Sequence, residues 1–151
     1  MYFSESIVLL QDAASDRDEA LRRLAGEFVS RDLVLASFPD AVLDREQRYP
    51  TGLDLGDIAV AIPHTDAEHV RTDQLGFMSL QNPVTFRQMG DDTATAEVSL
   101  VIMLALHKTE DQIPMLQKLV ELIQDRTSID TLRTTTSPLE VVETFARAGL
   151  R

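Results

Sequence analysis

Cysteine is absent from this chain of 151 residues, and so is tryptophan. Without cysteine there is no disulfide framework, no thiolate nucleophile and no sulfur ligand for a metal. Positive charge is scarce. Fourteen Lys and Arg stand against 25 Asp and Glu, a formal net charge of −11, which argues against nonspecific binding to a phosphate backbone. Long apolar runs are missing too. The longest, Leu100 to Leu106, is far too short to cross a bilayer. The opening "MYFSESIVLL" lacks the basic flank of a signal peptide, so the expectation is a cytoplasmic protein with no membrane insertion. A G-x-S-x-G elbow, a Walker loop, a dinucleotide fingerprint and an H-E-x-x-H motif are all lacking, which leaves few familiar catalytic designs open.

What is present fits one ordinary globular domain, residues 1–151, since 44% of the residues are apolar and 26% charged. "SESIVLLQ" reads as a first strand. Ser15 is a good N-cap, and Leu21, Leu24, Ala25, Phe28 and Val29 recur at helical spacing as far as about Ser30. "FPDAVLDREQRYP" reads as a shorter helix that starts at Pro39 and stops before Pro50. "IAVAI" and "QLGFMSLQ" read as strands. "TATAEVSLVIMLAL" alternates and then turns wholly apolar, as a central strand covered on both faces would. Ile113, Leu116, Leu119, Val120 and Ile123 form a further helical stripe, a small helix follows near Ile129 to Arg133, and "SPLEVVETFARAG" carries an N-cap, a first-turn proline and a glycine stop. The expected fold is α/β: a single-domain sandwich with a central mixed β-sheet and helices on both faces.

Only three histidines occur, and one stands in "DIAVAIPHTDAEHV", Asp57 to Val70, directly after a strand and a proline. Pro63 keeps Ile62 extended and removes a backbone donor, which suits a strand end. His64 is therefore expected at a sheet edge or loop, where functional groups are commonly displayed. Its imidazole is largely neutral and nucleophilic near pH 7. A zinc site using His64, Asp66, Glu68 and His69, in a metal-dependent hydrolase, is the competing reading. Histidines five apart lie well off a common helical face, which disfavours it.

The same stretch resembles the phosphorylation-site motif of the enzyme IIA proteins of the fructose–mannitol class (EIIA type 2) in the bacterial sugar phosphotransferase system. In that motif isoleucine–alanine, an isoleucine or valine, and a proline precede the histidine. "LDREQRYPTGLDLGDIAVAIPH" resembles the family's lead-in, an arginine–glutamate pair and then threonine–glycine. "AEVSLVIMLALHKTEDQIPMLQKLVELIQD" resembles its later strand, loop and helix. "PTG" and the second histidine, His69, look most like the galactitol-type branch.

The resemblance implies a phosphoryl carrier. It would accept phosphate from the phosphocarrier HPr on a histidine and pass it to a cysteine of its cognate enzyme IIB, which serves the membrane-bound enzyme IIC; no metal or cofactor is implied. By position His64 is the phosphoacceptor. Arg45 matches the arginine of the pair and would offset phosphate charge, unless it is a helix-surface arginine paired with an acidic neighbour. His69 would bond the imidazole or the phosphate, or else cap a helix. Gln112 stands where many members have a second histidine. It can donate to phosphate but carries no charge, and "TEDQ" also reads as a capping box. The helix that begins near Glu110, with Pro114 in its first turn, would offer free N–H groups to an anion if it faces His64. His107, at the end of the central strand, is the weakest candidate. Acids such as Asp57, Asp66, Asp91 and Asp92 would form a rim that steers a basic partner. The alternative to sugar transport is a regulatory module of the same fold that signals phosphorylation state to a protein partner.

Overall fold

A computed structural model describes all 151 residues. Its organising element is a long antiparallel hairpin, β4 (Gln74–Gln88) and β5 (Asp91–Ala105). Before it come β1 (Val8–Asp12), β2 (Gly52–Asp54) and β3 (Ala59–Ala61). Strand β1 lies parallel to β4, β3 parallel to β5, and β2 antiparallel to β3. A single pairing, Gly52 with Gln88, ties β2 back to the end of β4. The sheet is mixed, as expected, and β5 is its central strand.

Alternation along β5 decides the layers. Leu100, Ile102 and Leu104 face a cluster with Phe77, Leu119, Ile129 and Phe145, whereas Val101, Met103 and Ala105 face one with Leu21, Phe28, Phe38 and Val42. The first cluster is roofed by α3 (Gln112–Gln124), α4 (Arg126–Thr134) and α5 (Pro138–Arg147), the second by α1 (Arg17–Ser30) and α2 (Phe38–Arg48). Both sheet faces are thus covered, each fully buried large side chain contributing roughly 1.5–3 kcal/mol. Helix α5 follows its sequence signals closely. Ser137 Oγ accepts from Glu140 N, and Gly149 takes the positive φ that ends the element.

Several expectations need correction. The N-cap of α1 is Asp16, not Ser15; its carboxylate accepts from Glu19 N at 2.8 Å. Strand β4 runs on past "QLGFMSLQ" to Gln88, through an irregularity between Ser79 and Val84 that accommodates Pro83. The short β2, three residues that open on Gly52 and run into the turn at Gly56, carries too little period to be read from the sequence. Helix α4 begins at Arg126, three residues before Ile129; its first turn is polar, so the apolar pattern starts only at Ile129. Helix α3 starts at Gln112 after a 3₁₀ turn over Thr109–Asp111.

Candidate functional site

Strand pairing continues one step beyond β3. Leu104 N donates to the Pro63 carbonyl at 3.1 Å, and His64 follows where the sheet gives way to loop. The ring is not displayed as the strand–proline pattern suggested; His64 is only 8% exposed. It turns back so that Nδ1 meets the Ile62 carbonyl at 2.9 Å. A carbonyl only accepts, so the proton sits on Nδ1 and Nε2 holds a lone pair. Every side-chain nitrogen or oxygen withdrawn from solvent has a hydrogen-bond partner. Nε2 of His64 has none, so the unprotonated edge is the one that stays open.

Burial is the main reason that the His64 pKa lies below the usual 6.5, and the nearby Arg45 charge adds to it; the Ile62 bond and Asp66 pull the other way. The imidazole is held as free base. Arg45, in the last turn of α2, donates to Asp66 Oδ1 at 3.2 Å and lies 5.3 Å from the centre of the Tyr49 ring. The backbone N–H groups of His64, Thr65 and Asp66 donate to no protein acceptor. The loop that carries the open nitrogen thus has three amides without a protein acceptor, and a guanidinium is near enough for its charge to act on the ring.

The other sequence candidates separate. Gln112 belongs to the site's surroundings: its Nε2 donates to the Thr65 carbonyl at 3.0 Å, across 47 residues of chain. That bond brings the start of α3 against the His64 loop and replaces the capping box, in which Gln112 would have turned back on its own helix. His69, closing a 3₁₀ turn over Ala67–His69, shares a 2.7 Å hydrogen bond with Ser37 Oγ rather than reaching His64. His107 is also engaged elsewhere. Asp73 Oδ1 accepts from its backbone N at 2.8 Å and lies 2.5 Å from its Nδ1.

The acidic rim dissolves except at Asp66. Asp57 is taken by Arg126 and Arg133, and the Arg126 bond lowers its pKa to about 2. Asp91 and Asp92 lie at the β4–β5 turn, the end of the hairpin opposite His64, where Asp91 bonds Thr93. His64, Asp66, Glu68 and His69 do not converge as metal ligands; their contacts run to Ile62, Arg45 and Ser37 instead.

Two residues that the sequence offers only as parts of the family's lead-in, with no role of their own, lie directly behind the site: the glutamate of the arginine–glutamate pair and the threonine of threonine–glycine. Glu46 is 2% exposed and Thr51 4%. A legible signal existed: Phe38, Val42 and Glu46 recur every fourth residue, so one carboxylate shares the buried stripe of α2.

Comparison with known proteins sets this geometry in a family. Residues 1–148 match the model described as phosphoenolpyruvate-dependent sugar phosphotransferase system, EIIA 2. The galactitol-specific EIIA component of Escherichia coli K12 is 34% identical over 119 residues, 79% of either chain. The crystal structure of mannitol IIA from Escherichia coli superposes with a TM-score of 0.75 at 29% identity, covering 95% of this chain and 99% of that one. The same holds for IIA in its complex with phosphorylated mannitol IIB from Escherichia coli, at a TM-score of 0.74 and 29% identity over 94% and 95% of the chains. No helix of the present chain is long and apolar enough to cross a membrane.

Proposed function

The chain belongs to the EIIA 2 family of the phosphoenolpyruvate-dependent sugar phosphotransferase system, and on that footing we propose that His64 is its phosphoacceptor and Nε2 the atom that reacts. The observation that carries this is the hydrogen bond from Nδ1 to Ile62, which leaves Nε2 as the only ring nitrogen with a lone pair to offer. The donor is a phosphohistidine of HPr. Its N–P bond breaks as the Nε2–P bond forms, and the proton stays on Nδ1, hydrogen-bonded to the Ile62 carbonyl. In the second transfer a thiolate of the cognate enzyme IIB attacks phosphorus, and the electron pair of the N–P bond returns to Nε2. The sugar then enters through IIC. Such in-line transfers need positioning and charge stabilisation rather than further covalent chemistry from the protein.

The phosphoryl group adds up to about two negative charges. Arg45 and the free amides of His64, Thr65 and Asp66 meet that charge; Arg45 exchanges Asp66 for a phosphate oxygen. Gln112 acts by holding Thr65, and His69 and His107 take no direct part. The 34% identity to a galactitol-specific component favours galactitol-type transport over the regulatory role, with the protein working in the cytoplasm. Incubation with phosphoenolpyruvate, enzyme I and HPr is expected to add one acid-labile phosphate. Its normal uptake by His64→Ala would remove His64 from the mechanism.

A further inference from the structure

Behind His64 runs a hydrogen-bonded chain of buried groups. Glu46 Oε2 accepts from Thr51 N at 2.7 Å, and Glu46 Oε1 accepts from Thr51 Oγ1 at 2.8 Å. The hydroxyl has one proton and gives it to the carboxylate. Toward its next neighbour, Ile62 N at 3.2 Å, it can only accept. Ile62 in turn presents the carbonyl that takes the His64 Nδ1 proton.

The backbone explains why a side chain is needed here. Strand β2 begins at Gly52, paired with Ala61, so Ile62 N–H lies one step beyond the ladder, with no strand carbonyl opposite it. The hydroxyl of Thr51 supplies the missing acceptor. On the other side Pro63 has no N–H, so the peptide that carries the Ile62 carbonyl cannot be anchored through a donor of its own. The orientation of that carbonyl depends on Ile62 N–H being held.

We propose that Glu46 and Thr51 form a positioning unit for the transfer reaction, fixing the Ile62 carbonyl and thereby the Nδ1–H tautomer that leaves His64 Nε2 free. Neither residue touches the reacting atoms. The unit rests on His64 being the acceptor only as far as rate is concerned; the tautomer is a property of the unphosphorylated protein. Burial of a carboxylate is costly and raises the Glu46 pKa, an effect that the two Thr51 bonds and the charges of Arg17 and Arg87 partly offset. That cost is retained here beside the site rather than in the remote core.

The test is imidazole nitrogen–proton correlation NMR of unphosphorylated protein, with phosphorylation rates by HPr alongside. Wild type is expected to show Nδ1 protonated and Nε2 bare. Thr51→Val removes the acceptor and Glu46→Gln disturbs the carboxylate that orients it. Each folded variant is expected to show a mixture of tautomers and a rate reduced about tenfold or more, the scale on which groups that orient a catalytic ligand or imidazole act. Thr51→Ser, which keeps the hydroxyl, is expected to restore both. A purely structural role would lower the melting temperature but leave the tautomer of the folded variant unchanged. If Glu46→Gln and Thr51→Val both keep the wild-type tautomer, the unit does not exist as proposed, and should Thr51→Val fail to fold, Glu46→Gln alone decides. Phosphate uptake by His64→Ala would instead overturn the choice of acceptor without touching the tautomer result.

Discussion

Asp66 holds Arg45 through a single 3.2 Å hydrogen bond, and the two side chains set opposite charges beside the same imidazole. The pair is a resting arrangement with a use. Asp66 is mostly solvent-exposed, so releasing it costs little, and the guanidinium is already in place for phosphate. Arg45→Ala is expected to slow phosphorylation about 100-fold or more and to shorten the lifetime of the phosphorylated form. Asp66→Asn removes the competing acceptor and is expected to leave the rate equal or higher. Quench-flow measurement with phosphorylated HPr distinguishes them, and an Asp66→Asn loss as large as that of Arg45→Ala would contradict the exchange.

His64 should titrate below 6.5, chiefly because it is buried. Between the native pKa and 6.5 the unfolded chain binds the proton that the native state refuses, so this residue's contribution to stability falls as pH drops through that window. Glu46, raised above 4.5, acts in the opposite sense just above that value. Thermal denaturation would mix the two effects. NMR titration of the His64 ring is the direct measurement, and the acid limb of the phosphorylation rate is expected to follow it, below pH 6.5.

Gln112→Ala removes a partly buried bond to Thr65 worth about 1 kcal/mol. Its larger effect is expected on rate, because the loop carrying His64 loses its tie to α3. Hydrogen exchange at His69, whose N–H is bonded to the Asp66 carbonyl of that loop, should quicken, and phosphorylation should slow several-fold.

Gly52→Ala tests the scaffold. A Cβ there would come within 2.7 Å of the Arg87 carbonyl, a backbone atom that cannot swing aside. The expected loss is about 1–3 kcal/mol by urea denaturation. The displaced β2 should also carry Thr51 with it and perturb the His64 tautomer.

Asp57 is engaged with Arg126 and Arg133 on the α4 side. Asp57→Asn is expected to leave the rate of phosphorylation by HPr and its salt dependence unchanged, as kinetics at two ionic strengths would show.

The three layers were legible because they rest on periodicity. The apolar run in β5 and the helical stripes of α1, α3 and α5 each record burial on a given face, and burial acts residue by residue. His64 stood out for a local reason as well, a strand ended by proline. Elements written in a few residues, such as β2, left too short a pattern to read. Arg45 was half legible. Its place in a helix could be read, but whether it met an acidic neighbour or phosphate depended on Asp66, 21 residues away.

By itself the sequence determined the chemistry available: no thiol, few histidines, one imidazole after a proline, and a core large enough to hold it. Tertiary structure alone decided that this ring is buried with Nδ1 turned inward, that Gln112 faces Thr65 rather than its own helix, and that His69 and His107 are engaged elsewhere. It also decided that Glu46 and Thr51 stand behind Ile62. Side-chain hydrogen bonds are directional and close over a few ångströms, between groups that chain order leaves far apart. Composition and period record how much is buried, but not which donor meets which acceptor.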